Sequence, residues 1–135
     1  MNKSLALMPL VLVGALLLSP AWGVEKEVFK ATADKSGVQK IEMTAGDYYF
    51  KPTHLIVKVN KPVELVINRE PGFASHSIVL HAPEAGIDVN VGLETEAKTI
   101  TFTPTKAGKY PFYCDKGLME KHRDKGMEGI LEVTE

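Results

Sequence analysis

From residue 54 to the C-terminus, apolar side chains recur at every second position. In HLIVKVN (54–60) Leu55, Val57 and Val59 share a face, and in PVELVINRE (62–70) Val63, Leu65 and Ile67 do. HSIVLH (76–81) sets His76, Ile78 and Leu80 on one side, and KTITFTPT (98–105) sets Ile100 and Phe102 against threonines. KYPFYC (109–114) aligns Tyr110, Phe112 and Cys114, and GILEVTE (129–135) offers Ile130 and Val133. A period of two puts alternate side chains on one face of a strand, whereas a helix needs a period near 3.6. Gly, Pro and Asn interrupt these runs at short spacing, and weaker strands are expected near 27–32, 38–43 and 47–51. The pattern predicts an all-β sandwich or barrel. Only 115–125 has helical character, and Gly117 and Gly126 bracket it as a short segment.

The first residues do not belong to that pattern. Lys3 precedes an apolar run from Leu5 to Leu18, and Ala21-Trp22-Gly23 ends it with small residues two positions apart. This is the layout of a secretory signal peptide over residues 1–23. The run is short for a membrane span, which takes about 20 apolar residues; an uncleaved anchor is the alternative. Cleavage after Gly23 leaves 24–135 as one domain, long enough to bury a core. The chain carries a net charge of −1, so no basic excess points to nucleic acid or to an anionic membrane.

Parity places the chemistry-bearing residues. His76 begins its strand and Cys114 ends another, both on the apolar face. If those strands are antiparallel, the two residues lie at the same pole of the sandwich. The stretch 82–96 must then climb the whole molecule, with Pro83, Gly86 and Gly92 along it, as a Greek-key crossover would. The loop 115–127 stays at the pole of Cys114, so His76, Cys114, His122 and Met127 can meet there. His81 has the opposite parity to His76 and is expected on the surface, as is His54. Met43, Tyr48 and Tyr49 are expected in the core or on strand faces.

The chain has one cysteine, which excludes an intrachain disulfide. In an oxidising compartment a leftover cysteine is an intermolecular bridge, a reactive thiol, a buried filler or a metal ligand. Its neighbours favour the last. A thiolate, two imidazoles and a thioether make the ligand set of a trigonal copper site with a long axial bond. Met119 competes with Met127 for the thioether role; it is expected to pack the short helical segment inward, which favours Met127. No Gly-rich phosphate loop, H-E-x-x-H, C-x-x-C or serine elbow is present.

These residues resemble the cupredoxins, the small blue-copper sandwich family. TFTPTKAGKYPFYC (101–114) is similar to that family's strand–turn–strand approach to the copper cysteine, with Gly108, Tyr110 and Phe112 at the matching offsets. HSIVL is similar to the segment headed by the first histidine ligand. The resemblance runs from about residue 47 to the C-terminus. It implies a Greek-key β-sandwich with a short helical segment in the ligand loop. It also implies Cys114 as thiolate ligand, His76 and His122 as imidazoles and Met127 as axial thioether. Two features depart from the family. The spacing C-x7-H-x4-M gives a long loop, closer to those of copper nitrite reductases, and Ser77 follows the first histidine where Asn is common.

The expected function is an exported, periplasmic or secreted, mononuclear copper protein that carries single electrons between redox partner proteins. It is expected to be a monomer and not an enzyme. The alternative is a copper carrier or resistance protein that delivers the metal to copper-accepting proteins.

Overall fold

The computed structural model describes residues 26–135; the targeting segment expected over residues 1–23 lies outside them. Among the described residues ten strands form: β1 (Val28–Lys30), β2 (Gln39–Gly46), β3 (Tyr49–Lys51), β4 (His54–Lys58), β5 (Val63–Arg69), β6 (His76–Ala82), β7 (Ile87–Leu93), β8 (Lys98–Phe102), β9 (Gly108–Tyr113) and β10 (Glu128–Thr134). They make two sheets, one ordered β1-β4-β10-β9-β6-β7 and the other β3-β2-β5-β8. The protein is an all-β Greek-key sandwich. Its helical content in the ligand loop is one 3-10 turn, Arg123–Lys125.

The alternating residues fill the space between the sheets. Leu55, Val57, Val63, Leu65, Ile67, Ile78, Leu80 and Ile100 are buried in one apolar cluster, and Phe102 packs partly buried against it. Buried apolar faces of this kind supply most of the drive to fold, at roughly 25 cal/mol per Å². The last strand departs from expectation. Leu131 and Val133 point into the core, while Ile130 is only half-buried. The pairing register explains this. Leu131 stands opposite Tyr110 and Leu55, both core residues, whereas Ile130 stands opposite Pro111 and His54 on the outer face.

The stretch 82–96 also differs from the expected crossover. It does climb the molecule, but as a strand. A 3-10 turn at Pro83–Ala85, closed by Gly86, reverses the chain, and β7 then pairs with β6 from Ala82↔Ile87 to His76↔Leu93. Ile87, Val89 and Leu93 are buried. Their alternation with Asp88, Asn90 and Gly92 was the signal for a strand; those three residues are poor strand formers, but here they face out.

β6 and β9 run antiparallel. The start of β6 and the end of β9 therefore share a pole with the β2–β3 turn and the 115–127 loop. The turns at 83–86 and 103–108 lie at the opposite pole, tied together by Thr105 N–H donating to the Ala85 carbonyl at 2.9 Å.

Candidate metal centre

Three potential ligands converge at the first pole. The donor atoms of His76, Cys114 and His122 lie within 4.8 Å of one another, and all three residues are buried. His76 enters from the first position of β6, and Cys114 follows the last residue of β9. Sγ of Cys114 lies 3.6 Å from Nδ1 of His122.

The loop 115–127 is folded back by its own backbone. His122 N–H donates to the Lys116 carbonyl at 2.9 Å, and Met127 N–H donates to the His122 carbonyl at 3.1 Å. Cys114 N–H in turn donates to the Met127 carbonyl at 3.1 Å, continuing the β9–β10 pairing to the site. Two glycines make these turns feasible. Gly117 has φ 117° and leaves no room for a Cβ beside the Glu120 carbonyl, and Gly126 has φ 96°; L-residues rarely adopt such angles. Arg123 ties the loop to its neighbours, donating to Glu128 at 2.9 Å and lying 4.1 Å over the Tyr113 ring.

Met127 is fully buried and belongs to the core cluster at the base of the loop. Met119 does not pack inward as expected; it is 99% exposed. The reason is the absence of a helix over 115–121, which leaves the 117–121 stretch as an open turn with no inward face. His81 is exposed as expected, and His54 is half-buried, donating to Glu132 at 2.8 Å.

The structure adds contacts that the sequence did not reveal. Ser77 N–H donates to Cys114 Sγ at 3.4 Å. Its hydroxyl donates to Asp115 Oδ1 at 2.6 Å and accepts from Asp115 N–H at 3.1 Å. Ser77 thus pins the start of β6 to the exit of β9. From the other sheet, Asp47 accepts from His76 Nε2 at 3.3 Å. Tyr48, expected in the core or on a strand face, instead stands exposed in the turn between β2 and β3 and sets its ring edge-on to His122, 5.2 Å between centroids. No periodic pattern encodes these contacts.

The donor set fits a copper ion. Among the described residues the one buried side-chain nitrogen or oxygen without a hydrogen-bond partner is Nδ1 of His76. An orphaned buried nitrogen is costly, and a metal ion is what would satisfy it beside a thiol and a second imidazole. His122 is suited to the neutral form that ligation needs. Burial lowers its pKa first, and the nearby His76 and Lys125 add to this, while Asp47 opposes it.

The family model described as Cupredoxin-like domain matches residues 12–127. Among solved structures, the chain is similar to the metal-binding domain of the Cu(I)-exporting P-type ATPase CopA of Streptococcus pneumoniae, determined with Cu(I). The two share 29% identity at a TM-score of 0.60, over 82% of this chain and 98% of that one. A copper-binding protein solved in its apo form by NMR shares 25% identity at a TM-score of 0.57, over 81% of this chain and 99% of that one. Dithionite-reduced auracyanin from Roseiflexus castenholzii shares 20% identity at a TM-score of 0.56, over 71% and 97%, a likeness of fold. No curated protein matches the sequence.

Proposed function

The chain belongs to the cupredoxin-like family, and from that premise we propose that it is an exported mononuclear copper protein that carries single electrons. The observation that carries this reading is the buried convergence of His76, Cys114 and His122 within 4.8 Å. Cys114 would hold copper as a thiolate, His76 and His122 as imidazoles, and Met127 as a thioether. When bound, copper supplies a Cu(I)/Cu(II) couple that this mixed soft and intermediate donor set accommodates in both states.

The chain's own residues do the rest. His76 and Cys114 sit at the ends of sheet strands, and His122 and Met127 sit on a loop braced by backbone hydrogen bonds, so the set need not rearrange much when one charge is gained or lost. Ser77 N–H draws charge from the sulfur, which tempers its donor strength. Burial of Cys114 and Met127 keeps water from the soft ligands. His122 is 9% exposed, and Tyr48, Leu118, Met119 and Lys125 line the surface beside it. A redox partner docking on that face gains the shortest route to the site.

A second reading treats copper as cargo, held for delivery to an accepting protein. The similarity at 29% identity to the metal-binding domain of a Cu(I)-exporting ATPase favours it. Among the described residues no helix is long and apolar enough to cross a membrane; export rests on the segment 1–23.

The test is spectroscopic and electrochemical. With Cu(II) the purified protein should bind one ion and show an intense visible thiolate-to-copper charge-transfer band, absent in Cys114→Ala. A colourless cupric protein sinks the ligand assignment. A reversible one-electron wave with fast self-exchange supports the shuttle. Rapid loss of Cu(I) to a copper-accepting domain, with sluggish electron exchange, supports delivery instead.

A further inference from the structure

We propose that the β2–β3 turn is a positioning arm of the copper site, in which Asp47 fixes the tautomer and aim of His76 while Tyr48 braces the ring of His122. The inference rests on the copper reading above and adds two positioning residues from the sheet opposite the ligands.

His76 shows why an arm is needed. Its side chain is 2% exposed, so water cannot orient it. Its ring has a single polar partner, the Asp47 carboxylate at 3.3 Å from Nε2, and Nδ1 has none. A carboxylate can only accept, so Nε2 must carry the proton. Nδ1 is then left with a bare lone pair, the form a metal requires. A hydrogen bond from the second ring nitrogen to a carboxylate fixes the orientation of a ligating imidazole and strengthens its donation. A carboxylate there also favours the more highly charged copper state.

Tyr48 supplies the second contact. It adopts φ 69° although it is not glycine. A bulky residue held in the left-handed region is strained and persists where its surroundings impose it. Here the conformation turns the phenol ring edge-on to His122. Lys125, three residues beyond His122, closes over the same ring at 4.5 Å. The two imidazoles are themselves 5.0 Å apart between centroids, so one short turn reaches both.

The first measurement needs no metal. Long-range nitrogen–proton NMR on the metal-free protein, at a pH where His76 is neutral, should show it protonated at Nε2. Asp47→Ala should lose that preference, and Asp47→Asn, whose amide can accept from or donate to Nε2, should weaken it. With copper, Asp47→Ala should weaken Cu(II) binding about tenfold more than Cu(I) binding. A tenfold ratio raises a one-electron potential by about 59 mV. Asp47→Asn should show part of that rise, because the charge is gone while the amide oxygen can still accept from Nε2. Tyr48→Gly relieves the backbone and removes the ring, so the metal-free protein should be at least as stable while copper affinity falls about tenfold. Wild-type His76 protonated at Nδ1, or an unchanged potential in Asp47→Ala, overturns the role of Asp47. Unchanged affinity in Tyr48→Gly overturns the role of Tyr48. A wild-type protein that binds no copper refutes the copper reading instead, and the tautomer measurement still decides whether Asp47 sets His76.

Discussion

His122 titrates below its ordinary value of 6.5, chiefly because burial penalises its charged form. Its unfolded counterpart takes up a proton as pH falls through that value, and the folded form does not until lower pH. The unfolded state therefore binds more protons in the window from 6.5 down to the depressed folded pKa, and stability falls as pH falls through it. Above 6.5 the group contributes no pH dependence. Denaturant melts of the metal-free protein should show stability dropping as pH falls below about 6.5, with a shallower drop in His122→Asn; equal slopes would remove His122 as the cause. The thioether makes a second residue-scale test. Met127→Leu should keep copper and the cysteine band but raise the potential, since a weak donor is replaced by none. Met119→Leu should leave both unchanged, because Met119 stands in solvent. The four candidate ligands could be read from the sequence because residue type, strand parity and loop spacing all bear on them. Asp47, Tyr48 and the Ser77 contact could not. Asp47 reaches His76 across 29 residues and Ser77 reaches the sulfur across 37; both contacts arise only once the sheets are assembled.

At the scale of elements, a strand is legible when its inward residues contrast with its outward ones. β5 has Val63, Leu65 and Ile67 inward, with Glu64 and Val66 between them and Asn68 after them, and it forms as expected. β7 was obscured by Pro83, Gly86 and Gly92, which look like loop punctuation, although Gly86 closes the turn before the strand and Gly92 faces outward within it. β10 was ambiguous because Ile130, Leu131 and Val133 are all apolar, and local pattern cannot choose between two apolar faces. Pairing with β9 and β4 chooses for it, since a shift of one residue would turn every side chain over. The register gives a sharp expectation. Leu131→Ala, at 0% exposure, should cost about 2–5 kcal/mol of stability, as truncation in a packed core does. Ile130→Ala should cost clearly less, because its side chain lies on the outer face. Chemical denaturation of both variants reads the difference, and a larger loss at Ile130 would mean that the strand is out of register.

For the whole molecule the question is whether the metal builds the fold or the fold builds the site. Cys114 and Met127 belong to the same buried cluster as Phe50, Ile67, Phe112 and Leu131, so the floor of the site is the end of the sandwich core. The ligand loop is closed by backbone bonds within 114–127 that do not involve the side-chain donors. The metal-free protein should therefore be folded. Copper joins three segments at one pole: the start of β6, the exit of β9 and the 115–127 loop. A ligand that binds only the folded state stabilises it by mass action, so the melting temperature should rise with copper. The local effect should be uneven, because protection from exchange reports local opening. The loop 115–127 carries two of the proposed ligands, and Leu118 and Met119 within it stand exposed, so copper should slow its amide exchange most. The 104–108 turn lies at the far pole, where Asn60 N–H donates to the Pro104 carbonyl at 2.7 Å and Thr105 N–H to Ala85; copper touches none of these bonds and should leave that turn nearly unchanged. Hydrogen exchange read by mass spectrometry on the metal-free and copper-loaded protein makes the comparison. If the metal-free chain is unfolded, or if copper protects 104–108 as much as 115–127, then the site is not an end feature of a sandwich already formed, and the metal is part of what folds it.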